Sequence, residues 1–275
     1  MALNAFIPEL WAATILRTLE NNLVATKICN TEYTGEIKKH GDTVHFGQLA
    51  DVTIGTYAGS ITYEELNGTD IPVPVDQQDY FAFKVSDIDA AQANVALQSS
   101  QAARAAYQLR DKCDKYILGL YAQAGKTITN TAVNSVNVFE AISDMSLALD
   151  EANVPNESKW IVIPPWVKHK LLLAGVKFGV KNGIDGQNGV DWTKELGFDL
   201  YVSNNVALAS GASCCLGGSK NAIAFADQVT NTRAMDLEDS FDVGVSGLHL
   251  FGAKTIKADE LVCGKLTKAA EPTDI

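Results

Sequence analysis

The stretch "SDIDAAQANVALQSSQAARAAYQLRDKCDKYILGLYAQAG", residues 86–125, has no proline and no interior glycine before Gly119. Its apolar side chains recur at three-four spacing, which predicts one helix of about 55 Å at 1.5 Å per residue. Alanine dominates the first half of the apolar face, so that half buries little surface. The helix either crosses an ordinary domain or is a strut in a flat subunit that neighbouring copies support. The face comprises Ile88, Ala91, Val95, Ala102, Ala106, Leu109, Cys113, Tyr116 and Leu120.

Composition narrows the class of protein. The 275 residues suffice for one large domain or two small ones. A net charge of -11, from 22 basic and 33 acidic residues, disfavours tight nucleic-acid binding, which needs clustered cations. The sequence contains no run of about 18 apolar residues, so it predicts no membrane span. Its start, "MALNAFIPELW", lacks the pattern of a secretory signal. The five cysteines form no C-x-x-C pair, which indicates reduced, buried thiols, with Cys214 and Cys215 on the two faces of a strand.

Two stretches in which apolar and polar residues alternate precede the helix. "GDTVHFGQL" (41–49) and "DYFAFKVSD" (79–87) place apolar residues on one face, and a Gly/Thr/Asp-rich stretch without a clear core face separates them. This pattern predicts a long two-stranded excursion over residues 31–85. Because an isolated hairpin is marginally stable in water, we expect a neighbouring subunit to order it.

Helices and strands alternate after the long helix. Residues 136–155 predict an amphipathic helix, "KWIVIPP" (159–165) a short buried strand, and "WVKHKLLLAG" (166–175) a helix closed by Gly175. Residues 178–192 form a glycine-rich loop. The alternation over 137–230 predicts a compact α+β unit.

No motif for chemistry is present. The four histidines are scattered, no G-x-S-x-G elbow or phosphate loop occurs, and the Glu64–Glu65 pair is typical of solvated carboxylates. We therefore predict no catalytic residue, no cofactor site and no metal site. An enzyme whose residues converge from distant positions stays open as an alternative. The histidines are His40, His45, His169 and His249.

The order of segments resembles the major capsid (coat) protein of tailed bacteriophages, with the Hong Kong 97-type shell fold. The most specific parts are "GDTVHF", "FKVSDIDAAQA" and "LFGAKTIKADELV", and the resemblance covers about residues 5–266. It implies an α+β fold with an N-arm, an extended E-loop, a peripheral domain with a long spine helix, and an axial domain. The implied ranges are the N-terminal arm 1–30, the E-loop 31–85, the peripheral domain with the spine helix 86–128, the axial domain 129–230, the peripheral strands 231–268 and the C-terminal tail 269–275.

The resemblance also implies a function and partners. It implies a structural protein that self-assembles through pentamers and hexamers into an icosahedral shell around double-stranded DNA, packaged without sequence specificity. Because the arm starts almost at Met1, the resemblance implies a separate scaffolding protein, unless a scaffolding extension preceding the arm has been removed, and it implies a portal protein too. The location is the virion, after synthesis in the host bacterial cytoplasm, with no membrane and no cofactor. An encapsulin-like compartment and, less favoured, a soluble enzyme are the alternatives.

Two groups of residues are predicted to meet other copies. The distal half of the E-loop is acidic, with no lysine or arginine before Lys84, and we expect it to lie against Lys254 and Lys257 of an adjacent subunit. The glycine-rich loop is expected at the symmetry axis, where side chains would collide. The acidic residues are Glu64, Glu65, Asp70, Asp76 and Asp79, and the loop glycines are Gly175, Gly179, Gly183, Gly186 and Gly189.

Overall fold

The computed structural model describes residues 24–31, 43–49, 68–86, 96–177, 197–236 and 242–272, and five positions between 54 and 65: Ile54, Thr56, Tyr57, Tyr63 and Glu65. The helices are α1 Ala25–Ile28, α2 Ala96–Leu118, α3 Val138–Glu151 and α4 Pro165–Lys177, with 3-10 turns at Gly119–Gln123, Asn156–Ser158 and Ala258–Glu260. The strands are β1 Thr43–Leu49, β2 Gly68–Pro74, β3 Gln77–Ser86, β4 Lys126–Val133, β5 Lys159–Ile163, β6 Asp199–Val202, β7 Leu208–Ala209, β8 Ala212–Ser219, β9 Ile223–Asp236, β10 Asp242–Thr255 and β11 Leu261–Lys268.

The long helix α2 is present, and its described part is shorter than predicted. The α-helix ends at Leu118 and tightens into a 3-10 turn that runs to Gln123, while residues 87–95 lie outside the described part of the chain. Of the predicted apolar face, Ala106, Leu109 and Cys113 are buried. The chain then turns at Gly125, whose amide donates to the carbonyl oxygen of Ala258 at 2.8 Å. A Cβ at Gly125 would lie 2.6 Å from that oxygen, so this approach requires glycine.

Helix α2 packs on a three-stranded antiparallel sheet in the order β3-β10-β9. Strand β3 pairs with β10 from Gln77 to Ser86 rather than with β1, so the prediction of a hairpin between the two alternating runs is wrong. Phe225 and Phe251 of this sheet are buried in the same core as α2. The sheet therefore supports the helix from Ala106 to Leu118.

Strand β1 forms a separate two-stranded hairpin with β2. The pairing places Val44 opposite Val73 and Phe46 opposite Ile71, so apolar side chains share one face. That face is buried against Ala224, Ala226 and Leu250 of the same chain. We expected a neighbouring subunit to order this excursion, and for the base of the hairpin that expectation is wrong.

A six-stranded sheet in the order β4-β11-β8-β5-β6, with β7 paired to β8, forms the rest of the molecule. Strand β11 runs parallel to β4 and antiparallel to β8, although the sequence grouped residues 231–268 together as peripheral strands. Helices α3 and α4 cover one face of this sheet, and the residues around Trp160 and Leu216 join the other face to the core under α2. The two larger sheets therefore share one core.

Local predictions in this region mostly hold. Helix α3 buries the predicted face, and every residue of β5 is buried. Cys214 and Cys215 lie in β8, and all five cysteines are free and buried. Helix α4 continues through Gly175 to Lys177, so the prediction that Gly175 closes it is wrong.

Candidate functional site

The hairpin β1–β2 is fixed to the body of the subunit at its base. Val44, Val73 and Val75 are at most 3% exposed. The Lys254 ammonium donates to the carbonyl oxygen of Pro72 at 3.0 Å, which ties β10 to β2. This anchoring fixes the direction in which the hairpin leaves the body.

The hairpin tip, by which we mean the described positions between 54 and 65, presents three apolar side chains to solvent. Ile54 is 95% exposed, Tyr57 72% and Tyr63 89%. Burying a side chain of this size stabilises a contact by roughly 1.5–3 kcal/mol. In the sequence, the aromatic residues of this stretch do not fall on one apolar face that could pack in the core. That pattern indicates a surface that another molecule can bury.

The acidic residues of the hairpin do not form one patch. The Asp70 carboxylate contacts Nδ1 of His45 at 2.5 Å on the exposed face, and Glu65 is exposed. The Tyr116 hydroxyl donates a hydrogen bond to Asp76 at 3.4 Å. Burial of the ring raises the pKa of Tyr116, and the negative charge of Asp76 raises it to a smaller extent. Glu64 lies outside the described residues.

Asp79 differs from its predicted place at a subunit surface. It is 7% exposed, lies in β3 and accepts a hydrogen bond from Lys112 of α2. Its position follows from the pairing of β3 with β10, which turns Asp79 toward the helix. Asp79 therefore links the spine helix to the sheet within one subunit.

The two predicted cationic partners also have contacts within the chain. Besides the bond from Lys254 to Pro72, the Lys257 ammonium lies 2.7 Å from a carboxylate oxygen of Glu260. Both lysines are only partly exposed. A contact with a neighbouring copy would have to compete with these bonds.

The predicted axial loop is only partly described. Gly175 lies inside α4, and Gly179, Gly183, Gly186 and Gly189 lie outside the described ranges. The C-terminal tail is held to α4, because Lys170 donates to the carbonyl oxygen of Ala269 at 3.1 Å and to the Glu271 carboxylate. Glu271 also accepts from the Ser135 hydroxyl, and these bonds lower the pKa of Glu271 to about 2.

The described residues contain no cluster of His, Cys, Asp or Glu with the geometry of a metal site. In the same ranges, no helix has the length and apolar character that a membrane span requires. Burial raises the pKa of Cys29 and of Cys215, so these thiols are not poised as nucleophiles.

A family model described as "Phage capsid protein" matches residues 53–263, which is more than half of the chain. The chain belongs to the phage capsid protein family. It is thus a major capsid protein, a structural component of a bacteriophage coat. No curated protein matches its sequence.

Solved structures share the fold of this capsid protein. A structure titled Mycobacterium phage Che8 is 22% identical with a TM-score of 0.67, covering 88% of this chain and 91% of that one. One titled Gordonia phage Cozz is 14% identical, with a TM-score of 0.64 and 87% of each chain covered. A virus-like particle from Pyrococcus furiosus is 13% identical, with a TM-score of 0.58, covering 94% and 98%. The tailed-phage capsid fold predicted from the sequence is confirmed.

Proposed function

We propose that this capsid protein closes into an icosahedral shell of five- and six-membered rings around the double-stranded DNA of a tailed phage. The observation that carries the proposal is the hairpin β1–β2, whose base is buried in its own chain and whose tip exposes Ile54, Tyr57 and Tyr63. Such a tip reaches away from its own core and can dock on the next subunit. Head-to-tail contacts of this kind close into rings when the rotation permits.

The proposal includes partners and a location. The net charge of -11 suits a container that encloses DNA without gripping it, since cationic clusters are what bind phosphates. We propose assembly in the host bacterial cytoplasm on a separate scaffolding protein, with a portal protein at one vertex. The protein acts by contact alone and catalyses no reaction.

Charged side chains of the hairpin set the register of the contact. Glu65 and Asp70 are exposed carboxylates, and we propose that they meet cations of the adjacent copy, with Lys254 and Lys257 as candidates. Exposed ion pairs contribute about 0–1 kcal/mol each, so they orient the contact while the apolar side chains hold it. A subunit held by several neighbours gains from all these contacts together.

Electron microscopy of the purified protein, with and without scaffold, tests the shell. The expected result is closed shells or related tubes, filled with DNA when isolated from infected cells. Shells that instead contain a protein cargo would identify an encapsulin-like compartment. Only small oligomers under every condition, with turnover of a small substrate, would overturn the proposal.

Variants of the tip test the contact that carries it. Tyr57→Ser combined with Tyr63→Ser removes two exposed rings and is expected to lower shell yield more than tenfold at equal protein concentration. Tyr80→Ser is the matched control, because Tyr80 is 78% exposed and belongs to β3 rather than to the tip. Both proteins should unfold at the same denaturant concentration as unassembled subunits. Equal hydrogen exchange of residues 54–65 in free subunits and in shells would contradict the docking of the tip.

A further inference from the structure

A pocket opens between helix α2 and strand β3, which is an edge strand of the three-stranded sheet. Its volume is about 270 Å³, just below the roughly 300–1,000 Å³ of pockets that hold drug-sized ligands, so it suits a single ring with a polar substituent. Its wall combines apolar and polar side chains, among them Phe81, Ala105, Leu109, Asp79, Gln108 and Lys112.

Asp79 brings a buried acceptor without a donor to the wall of this pocket. The residue is 7% exposed, and its Oδ1 accepts a hydrogen bond from Lys112. Its Oδ2 is buried and has no hydrogen-bond partner among the described residues, which is unfavourable for a polar atom. Because the Lys112 ammonium already balances the charge of the carboxylate, the group that Oδ2 lacks is a neutral donor rather than a second cation.

The pocket and the base of the hairpin β1–β2 lie on opposite faces of the three-stranded sheet. Leu250 of β10 packs with the hairpin base, whereas the next residue, Phe251, packs with α2. Successive residues of a strand point to opposite faces, so the helix and the hairpin base cover different sides. A subunit's own hairpin therefore starts on the side of the sheet away from the pocket, which favours the hairpin of another copy as the occupant.

The hairpin tip carries the chemical group that the pocket lacks. Tyr57 is 72% exposed and Tyr63 is 89% exposed. A phenol joins an apolar ring to a neutral O–H donor, and buried tyrosine hydroxyls usually find a hydrogen-bond partner. The ring matches the apolar part of the wall at Phe81 and Leu109, and the hydroxyl matches Oδ2 of Asp79.

We propose that the pocket between α2 and β3 receives a tip tyrosine, Tyr57 or Tyr63, of a second copy, whose hydroxyl donates a hydrogen bond to Oδ2 of Asp79. This inference rests on the proposed docking of the tip and names the place where the tip docks. The hydroxyl satisfies the buried acceptor while the ring covers the apolar wall. A side chain without a donor, such as Ile54, would cover Oδ2 and leave it unpaired, so the pocket selects tyrosine.

Ala105→Leu tests the pocket, because the larger side chain fills it and is a good helix former. The expected result is a loss of about tenfold in shell yield at equal protein concentration. Arg104→Leu is the matched control, since Arg104 is the exposed neighbour of Ala105 on α2 and is absent from the pocket wall, and it should assemble like the parent. Unassembled subunits of both variants should unfold at the denaturant concentration of the parent.

Tyr57→Phe and Tyr63→Phe test the hydrogen bond, because each keeps the ring and removes only the hydroxyl. At least one of them should lower shell yield several-fold, and that loss should vanish when Asp79 is already replaced in Asp79→Asn. Parental yield for both phenylalanine variants and for their combination would overturn the hydrogen bond to Asp79.

The serine variants of the tip separate the pocket from the docking itself. If Tyr57→Ser with Tyr63→Ser lowers shell yield while Ala105→Leu assembles like the parent, the tip docks elsewhere and the pocket is wrong. If the serine variant also assembles like the parent, the docking of the tip is wrong as well.

A phenol in solution tests the pocket without assembly, and this measurement decides if Ala105→Leu does not fold. Millimolar p-cresol added to unassembled parent subunits should shift the NMR signals of the Gln108 and Lys112 side chains, and Asp79→Asn should weaken the effect. Toluene, which has the ring without the hydroxyl, should shift them less. Unchanged signals with p-cresol, or equal shifts with toluene, would overturn the proposal.

Discussion

Gly252 of β10 and Pro74 of β2 touch backbone to backbone, leaving no room for a side chain between them. A Cβ at Gly252 would lie 2.2 Å from the carbonyl oxygen of Pro74 and 2.9 Å from Cα of Val75. Because both obstacles are backbone atoms, Gly252→Ala must push the hairpin base away from the sheet. We expect a loss of about 1–3 kcal/mol in the free energy of unfolding, measured by denaturant titration.

The matched control is Gly47→Ala in β1. A Cβ at Gly47 meets nothing within 4 Å, so this variant should unfold within about 0.5 kcal/mol of the parent. Equal stability of the two variants would mean that the hairpin base does not rest on β10 as described.

Ala105→Pro tests the continuity of the spine helix. Ala105 lies well inside α2, so proline removes an internal hydrogen bond and clashes with the preceding turn. The expected cost is at least about 3 kcal/mol, against roughly 0.5 kcal/mol for Ala105→Ser. If the proline variant were as soluble, stable and assembly-competent as the serine variant, the uninterrupted helix would be wrong.

Variants of Lys159 test whether its buried side chain stabilises the fold through its charge or through the volume it fills. Its side chain is 0% exposed, and it donates to the half-exposed Asp150 and, at 2.7 Å, to Asn156. Because solvent can reach Asp150 when the lysine is gone, Lys159→Met should stay within about 1.5 kcal/mol of the parent, whereas Lys159→Ala should cost about 2–5 kcal/mol. Equal losses in both variants would show that the ammonium itself is required.

The tail should loosen in acid through Glu271. Hydrogen bonds from Lys170 and Ser135 lower the pKa of Glu271 from 4.5 to about 2, so its contribution is complete above about pH 4.5 and disappears as pH falls toward 2. Glu271→Gln should therefore flatten the fall of unfolding free energy over that interval. Glu140→Gln, on the exposed side of α3, is the control and should keep the wild-type slope. Identical slopes in all three proteins would contradict a tethered tail.

Sequence periodicity predicted the elements whose neighbours are local. Helix α3 and strand β5 follow from their apolar spacing, and Cys113 was assigned to the buried face of α2. The order of segments along the chain was by itself sufficient to indicate the capsid fold. These features depend on residues close in sequence, which is where spacing is informative.

The sequence did not predict the pairing of β1 with β2, because β2 contains two prolines. Ile71, Val73 and Val75 alternate with Pro72 and Pro74, and proline normally argues against a strand. In a two-stranded ribbon the unpaired edge tolerates a residue without an amide hydrogen, so β2 forms nonetheless.

The spacing of residues along the sequence could not predict which charged or polar side chains are buried. Asp79 was predicted to lie at a contact with a neighbouring subunit, and its burial arises from strand β10, more than 150 residues later in the chain. Lys159 and His249 are similar, since their enclosure depends on elements brought together only by the tertiary fold. Sequence gave no sign of which polar side chains the core would enclose.

The place of β11 between β4 and β8 has a consequence for synthesis on the ribosome. Strands β4, β5, β6 and β8 emerge first, yet the sheet lacks the strand that joins β4 to β8 until residues 261–268 have left the exit tunnel. Contacts of such long sequence separation form late in folding. A nascent or truncated chain that ends before β11 therefore leaves the facing edges of β4 and β8 unpaired.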